Sequence, residues 1–299
     1  MRQQIGNFLL TDFRLHAIRA LRITKLVSWN TLALLGGEVR YPQYSFGLAS
    51  ACREAKALGI NKISALEFGV AGGNGLMALA SAAHQCTIEF GIEVQVFGFD
   101  SGIGMPNHQG FVDAPYLWKQ GDFRMDAGAL RDSMPKSTNV IIGQVSDSVP
   151  FYLSKVRRSS LTLESGQAVS GIAKRPSEPC TLLRSDERFD TSAPIAFVSF
   201  DLDYYSSTKA ALQLFRGAPC LPRVWTYFDD LDFISKQTGE WLAIDEFNSE
   251  MNGESFISEV ALSMPSWVNW AHRMRVLHNY NHPMYNNPTT GDLQLPLAL

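Results

Sequence analysis

"ALEFGVAGGNGLMALA" (residues 65–80) joins an apolar run that ends in an acid, four glycines within seven positions, and a helical pattern of apolar residues. The first part predicts a buried strand and the last part a helix. The glycines between them let the backbone turn sharply and approach a ligand, while the amides of the helix N-terminus face that ligand. The stretch therefore predicts a strand, a loop and a helix of the kind that open α/β sheets use to bind nucleotides.

Short apolar runs and helical patterns alternate along the rest of the chain. The predicted strands are residues 62–68, 93–100, 139–143, 195–201 and 223–230, with two last extended runs at 255–262 and 272–280. The predicted helices between them are residues 75–84, 125–134, 146–156, 206–216 and 239–251. This alternation is typical of a parallel sheet with helices on both faces. We expect a Rossmann-like α/β fold with a seven-stranded, mostly parallel sheet.

The composition excludes several classes of function. The 299 residues are 45% hydrophobic and carry a formal net charge of -3, which is no basic field for nucleic acid or an anionic membrane. No apolar run reaches the ~20 residues of a membrane span. The four cysteines are widely separated, so we expect them to be reduced and structural. The predicted location is the cytoplasm, with neither nucleic acid nor membrane as a partner.

The chain divides into three predicted parts. Residues 1–60 form a helical N-terminal extension or lid, residues 61–285 the α/β domain, and residues 286–299 a C-terminal tail. Residues 157–192 are rich in Ser, Arg and Glu, which predicts a surface insertion in the domain or a partly disordered loop. The basic N-terminus is compatible with a targeting presequence but lacks an apolar core and cleavage site. We favour a helix packed on the domain or on a second copy of the chain, which would make a homo-oligomer.

An acid follows the next predicted strand. Asp100 lies 27 residues after Gly73 (100 minus 73), where a carboxylate accepts the two hydroxyls of a ribose in nucleotide-binding sheets. This arrangement favours an adenosine-type cofactor. The alternative is purely structural, with Glu67 capping a helix and Asp100 starting a turn.

Glu67, at the end of the first strand, narrows the choice of cofactor. Its negative charge would repel a pyrophosphate but suits a cofactor that carries an amino acid and a sulfonium. S-adenosylmethionine is such a cofactor, and a nicotinamide-dependent oxidoreductase is the more distant alternative.

Three more stretches lie at predicted strand ends: "FGFDSGIGMP" (97–106), "FDLDYYSSTKAALQLF" (200–215) and "TYFDDLDF" (226–233). With "EFGVAGGNG" (67–75) they resemble the motifs of the macrocin-type O-methyltransferases, a family of class I S-adenosylmethionine-dependent enzymes that act on sugar hydroxyls of antibiotics and other natural products. The resemblance covers about residues 41–250, and the four motifs follow the family's order. It implies a class I methyltransferase fold and a small-molecule hydroxyl acceptor.

The resemblance also implies roles for individual residues. The family's ligands for a divalent ion, usually Mg²⁺, correspond to Asp201, Asp229 and Asp230, and oxygen-only ligation suits such a hard ion. Asp201 would also take the proton of the acceptor hydroxyl. The residues expected to contact the cofactor lie in the glycine loop and after the second strand: Glu67, Gly69, Val70, Ala71, Gly73, Asn74, Asp100 and Ser101.

Structural alternatives exist for the acids as well. Asp229 and Asp230 also suit a helix N-cap and an exposed turn, and Asp201 a buried acid held by backbone amides. Tyr41 and Tyr44 are candidates for a lid over the methionine end of the cofactor.

The sequence departs from the family at three places. Leu202 replaces a usual glycine, Ser206 replaces a frequent acid, and "CLPRVW" (220–225) replaces a usual Gly-Gly pair. These differences leave open a non-catalytic binding or scaffold protein on the same fold.

Overall fold

The computed structural model describes residues 40–135, 137–161, 179–184, 191–232, 235–260, 262 and 268–287. The expectations for residues 1–39, for most of the 157–192 insertion and for residues 288–299 therefore lie outside the described residues. Within the described part of the chain, no helix is both long enough and apolar enough to cross a membrane.

Eight strands and six α-helices make up the described fold. The strands are β1 Lys62–Phe68, β2 Glu93–Asp100, β3 Thr138–Ile142, β4 Thr181–Arg184, β5 Ile195–Phe200, β6 Cys220–Phe228, β7 Ser255–Glu259 and β8 Met274–Asn279. The helices are α1 Pro42–Ala57, α2 Asn74–Phe90, α3 Ala127–Ser133, α4 Val145–Leu161, α5 Tyr205–Leu212 and α6 Gly239–Glu250.

The strands form one sheet in the order β4-β3-β2-β1-β5-β6-β8-β7. The five central strands pair in parallel, while β4, β8 and β7 pair antiparallel to their neighbours. The predicted α/β fold with a mostly parallel sheet is thus confirmed, with one strand more than expected. The extra strand, β4, has four residues and lies within the predicted 157–192 insertion, where so short a run shows no periodicity.

Helices cover both faces of the sheet, so the central strands are buried on both sides. All six residues of β5 are buried, as is usual for parallel strands. Apolar residues of α1, α2 and α3 pack in the core on one face, and those of α4, α5 and α6 pack on the other. Helix α1 belongs to the first core, because Phe46, Leu48 and Cys52 are completely buried. The four cysteines are free thiols.

A row of stacked phenylalanine rings fixes the level at which four central strands end. The rings of neighbouring strands are 4.4, 5.4 and 4.6 Å apart between centroids and nearly parallel. The row runs in sheet order through Phe99, Phe68, Phe200 and Phe228. The residues that directly follow these rings are Asp100, Gly69, Asp201 and Asp229. The row therefore brings three aspartates and the glycine loop to one edge of the sheet.

Candidate active site

A cavity of about 480 Å³ lies at the carboxyl edge of the central strands. This volume is within the range of small-molecule sites. The chain winds outward from β1 through β2 and β3, then returns to β5 beside β1, so the cavity lies at the topological switch point where open α/β sheets bind ligands. The predicted site residues that line it are Gly69, Ala71, Asp100, Ser101, Asp201, Asp229 and Asp230. The predicted residues outside its lining are Glu67, Val70, Gly73 and Asn74.

The turn after β1 depends on glycine for a local reason. Gly69 has a φ of 87°, a backbone angle that residues with a side chain rarely adopt. A Cβ on Gly69 would lie 1.8 Å from the carbonyl oxygen of Asp201, so no other residue fits without moving one of the two strand ends. Gly69 thus lets the loop after β1 touch the start of the acidic segment after β5.

Asp100 braces the glycine loop. Its Oδ2 accepts the amides of Val70 and Ala71 at 3.0 and 2.8 Å, and its Oδ1 accepts the amide of Gly102 at 2.7 Å. A carboxylate has about four lone-pair positions, so three of them are used by the backbone. Asp100 therefore holds the loop and still lines the cavity, with limited capacity left for a ribose hydroxyl.

Glu67 lies behind the loop and is 1% exposed. Its Oε1 accepts the hydroxyl of Tyr44 at 2.9 Å, and that hydroxyl oxygen accepts the hydroxyl of Ser199 at 2.9 Å. Its Oε2 has no hydrogen-bond partner among the described residues. Burial raises the pKa of Glu67 well above its usual value, while the hydrogen bond from Tyr44 acts in the opposite direction. Glu67 is thus held by Tyr44 behind the loop and does not line the cavity.

The structure also bears on two smaller expectations, the capping of α2 by Glu67 and a lid formed by Tyr41 and Tyr44. Helix α2 has no side-chain cap, so Glu67 does not cap it either. Tyr44 is 2% exposed and lies beneath the loop, so it is no part of a lid. Tyr41 precedes α1 with a φ of 58°, and its ring centroid is 5.2 Å from that of Tyr44.

Three aspartates converge beside the loop. Carboxylate oxygens of Asp201, Asp203 and Asp230 all lie within 4.8 Å of one another. Burial, and then repulsion by neighbouring carboxylates, raises the pKa of Asp201 to about 8, that of Asp203 to about 9 and that of Asp230 to about 6. Oδ2 of Asp230 is buried and has no hydrogen-bond partner in the described part of the chain. Such a group is costly unless a cation or shared protons offset the charge.

Asp203 was absent from the predicted metal set, and Asp229 was part of it. Oδ1 of Asp229 accepts the hydroxyl of Tyr227 at 2.8 Å and is 3.2 Å from Nη1 of Arg273. Arg273 also pairs with Asp232 at 2.8 Å. Asp229 therefore already has a cationic partner, whereas Asp203 points to the other two acids. The only sequence signal for Asp203 is its position two residues after Asp201 in "DLD".

The segment between β2 and α3 forms the other side of the cavity, with Trp118 among its lining residues. Asp113, which is 1% exposed, fixes this segment to the start of α5. Its Oδ1 accepts the amide of Ser206 at 2.7 Å, and its Oδ2 accepts the hydroxyl of Ser206 at 2.9 Å. The hydroxyl of Tyr204 donates to the carbonyl of Trp118 at 3.3 Å. The segment is thus held directly against the residues that follow the acids.

The three departures from the family have structural explanations. Ser206 faces the buried acid Asp113, which a second acid at position 206 would repel. Leu202 does not need to be glycine, because the left-handed residue of the turn is Asp203, with a φ of 58°. Residues 220–225 lie at the amino end of β6, opposite the edge that carries the cavity, so they do not shape it.

None of the described histidines lines the cavity. His108 is exposed and does not line it. His272 is exposed and pairs with Asp232 at 2.6 Å. His278 is half-buried and bonds Ser258 and Tyr285 at 3.0 and 2.9 Å, which ties the last described segment to the sheet.

No protein-family model matches the sequence, and no curated protein is significantly similar to it. Several solved structures are similar in fold. The O-methyltransferase NovP is 11% identical, with 80% of each chain covered and a TM-score of 0.50. The calicheamicin methyltransferase CalS11 is 19% identical over 91% of this chain and 93% of that one, with a TM-score of 0.49. The O-methyltransferase TomG from Streptomyces achromogenes, in complex with SAM, is 12% identical over 87% of this chain and 94% of that one, with a TM-score of 0.38.

At 11% identity the similarity to NovP shows a shared fold and no more, and the lower TM-scores add nothing to it. It agrees with the predicted methyltransferase-type fold.

Proposed function

We propose that the chain is an S-adenosylmethionine-dependent methyltransferase that transfers a methyl group to a hydroxyl of a small molecule, assisted by Mg²⁺. The observation that carries this proposal is that the glycine loop and the acidic cluster border one cavity at the switch point of the sheet. A methyl donor on the loop and an acceptor oxygen near the acids would then be neighbours, and positioning of that kind supplies much of the rate of a group transfer.

The residues of the loop suit S-adenosylmethionine. Gly69 and Ala71 offer backbone without bulky side chains, and Asp100 and Ser101 border the same space. The predicted contacts Val70, Gly73 and Asn74 belong to the loop and the start of α2 but do not line the cavity, and Glu67 lies behind the loop. The positive end of α2, which begins at Asn74, directs backbone amides toward this region.

The acidic cluster suits a divalent ion. Asp201 and Asp230 of the predicted set, joined by Asp203, offer only oxygen ligands, which Mg²⁺ prefers. The unpartnered Oδ2 of Asp230 is a buried acceptor that a cation would satisfy. Asp229 would contribute to the ion site electrostatically, as the ion-pair partner of Arg273.

When bound, the cofactor supplies an electrophilic methyl group on sulfur, and the ion supplies positive charge that lowers the pKa of a nearby hydroxyl. Asp201 is the half-buried acid of the cluster and lines the cavity, so it can reach the acceptor. When ionised, the carboxylate of Asp201 would take the hydroxyl proton while the acceptor oxygen bonds the methyl carbon. The bond from that carbon to sulfur would break, with its electron pair left on sulfur, and S-adenosylhomocysteine would leave. Asp203 and Asp230 keep negative charge beside the ion site. The apolar side of the cavity excludes water that would compete with the acceptor for the methyl group.

Calorimetric titration with S-adenosylhomocysteine tests the cofactor. We expect binding by the native chain and a loss of at least about tenfold in affinity for Asp100→Ala, because the loop amides of Val70 and Ala71 and the amide of Gly102 lose their hydrogen bonds to this side chain. Asp132→Ala, on the exposed side of α3, is the matched control and retains native affinity. Absence of both heat and thermal stabilisation at millimolar ligand would refute the proposed function.

A further inference from the structure

Exposed apolar side chains are concentrated in the segment between β2 and α3. Eight large hydrophobic residues are exposed in the described part of the chain, and five of them lie in this one segment. They are Ile103, Phe111, Tyr116, Leu117 and Phe123, with Phe111 91% and Tyr116 77% exposed. Exposed apolar side chains concentrated in one segment often mark a binding site.

Part of this surface is also the wall of the cavity. Leu117, Trp118 and Phe123 line it, and we call these three residues the aromatic wall. The rings of Trp118 and Phe123 meet edge to face, with centroids 5.1 Å apart and an angle of 67° between their planes. Such edge-to-face pairs are favourable aromatic contacts, and both residues also line the cavity.

The aromatic wall is held on the acid side of the cavity. The hydroxyl of Tyr204 bonds the carbonyl of Trp118, and Tyr204 directly follows Asp203. Asp113 provides a second attachment through Ser206. The wall therefore keeps its place relative to the acids without the help of a ligand.

The lining of the cavity favours an uncharged acceptor. Five of the described lining residues are aspartates, and none of the described lining residues is Lys, Arg or His. Lys and Arg are the side chains that most often bind a phosphate or diphosphate. The lining therefore offers no side-chain cation to an anionic acceptor.

We propose that the acceptor is an uncharged molecule with a flat aromatic ring system close to its hydroxyl, and that the aromatic wall binds this ring. This proposal rests on the proposed function and adds the chemical class of the acceptor. A nucleotide-linked sugar is the acceptor that it rules out. Trp118 and Phe123 become the residues that determine specificity.

Three probes that each carry an α-D-glucosyl group test the proposal: 2-naphthyl α-D-glucoside, methyl α-D-glucoside and uridine diphosphate glucose. Binding is measured by calorimetry with the chain saturated by S-adenosylhomocysteine and Mg²⁺. We expect the naphthyl glucoside to bind at least about tenfold more tightly than the methyl glucoside, since stacking on paired rings and burial of the naphthyl group act together. Uridine diphosphate glucose should bind no more tightly than the methyl glucoside. Equal affinities, or preference for the nucleotide sugar, would overturn the proposal while leaving cofactor binding intact.

Variants test whether the aromatic wall causes the preference for the naphthyl glucoside. Trp118→Ala should remove most of the preference for the naphthyl glucoside and change the affinity for S-adenosylhomocysteine less than twofold, and Trp118→Phe should restore most of the preference. Phe256→Ala, an exposed ring on β7 outside the cavity, is the matched control and keeps the preference. If Trp118→Ala weakens S-adenosylhomocysteine as much as the naphthyl glucoside, the wall belongs to the cofactor and the proposal fails. It also fails if the native chain dimerises and Trp118→Ala dissociates the dimer, or if the native chain does not bind S-adenosylhomocysteine.

Discussion

The positions of single carboxylate atoms decide which acids could hold a cation. Oxygens of Asp201, Asp203 and Asp230 converge within 4.8 Å, while Asp229 is engaged by Tyr227 and Arg273. The motif places Asp229 beside Asp230 in sequence, but adjacent residues after a strand point in different directions. The partner of a carboxylate is therefore better evidence of its role than its position in a motif.

Replacing single aspartates by asparagine distinguishes the two candidate sets of metal ligands. One set is the three converging acids, and the other is the set with Asp229 that the family resemblance implies. Asp203→Asn should weaken Mg²⁺ binding at least about tenfold, because it removes one converging charge and keeps the shape. Asp229→Asn should weaken it less than about threefold, because Arg273 already offsets that charge. Calorimetric titration with MgCl₂ near neutral pH gives both values. The opposite order would restore the set predicted from the family resemblance.

At the scale of elements, the segment after β2 and helix α5 form one unit. Asp113 accepts the backbone amide of Ser206, an otherwise unpaired donor in the first turn of α5, across 93 residues of sequence. The same carboxylate accepts the amide of Gln109 at 2.6 Å, so it orders its own segment as well. The shape of one cavity wall thus depends on one buried acid.

Asp113→Ala should cost about 1–3 kcal/mol of stability, since buried donors lose a charged acceptor. It should also expose the segment to trypsin at Lys119 and Arg124, which are both exposed. The matched control is Asp126→Ala, which removes the cap of α3 at Gly128 and Ala129 and leaves the contact with α5 intact. Urea unfolding gives the stability, and digestion under native conditions gives the cleavage rate. Equal cleavage of the two variants would show that Asp113 does not anchor the segment.

Across the whole molecule, the sequence predicted the layers and strand ends well and the contacts between distant segments poorly. Strands β1 and β2 were predicted to the residue, because buried parallel strands are continuous apolar runs between clear breaks. The raised pKa of Glu67 comes from its depth of burial, and its side-chain partner Tyr44 lies 23 residues earlier in the sequence. The approach of Asp203 to Asp201 and Asp230 depends on the left-handed backbone conformation of Asp203, which no periodicity in the sequence reveals. These features arise from tertiary packing, which a motif does not encode.

Buried acids make the stability of the whole domain depend on pH. The pKa of Asp203 rises to about 9 and that of Glu54 to about 7, in both cases mainly through burial. Because their pKa values are higher in the folded than in the unfolded chain, the folded chain binds more protons between pH 4 and 9. Their contribution to stability is complete below the unfolded pKa and is lost as pH rises through the folded value. One pKa unit corresponds to about 1.4 kcal/mol, so without metal we expect Tm to fall by roughly 5 to 10 °C between about pH 5.5 and pH 8.5.

A cation held by the acidic cluster would counteract part of this loss. Mg²⁺ competes with protons for Asp201, Asp203 and Asp230, so millimolar MgCl₂ should raise Tm more at about pH 8.5 than at about pH 5.5. Glu54 lies away from the cluster and pairs with Arg223 at 3.1 Å, so Glu54→Gln should flatten the pH profile and leave the Mg²⁺ effect unchanged. Asp203→Asn should flatten the profile and also reduce the Mg²⁺ effect. Thermal unfolding of the three proteins, with EDTA or with MgCl₂, measures these differences. An Mg²⁺ effect that is independent of pH, or that Asp203→Asn leaves intact, would separate the raised pKa values from metal binding and place the ion elsewhere in the molecule.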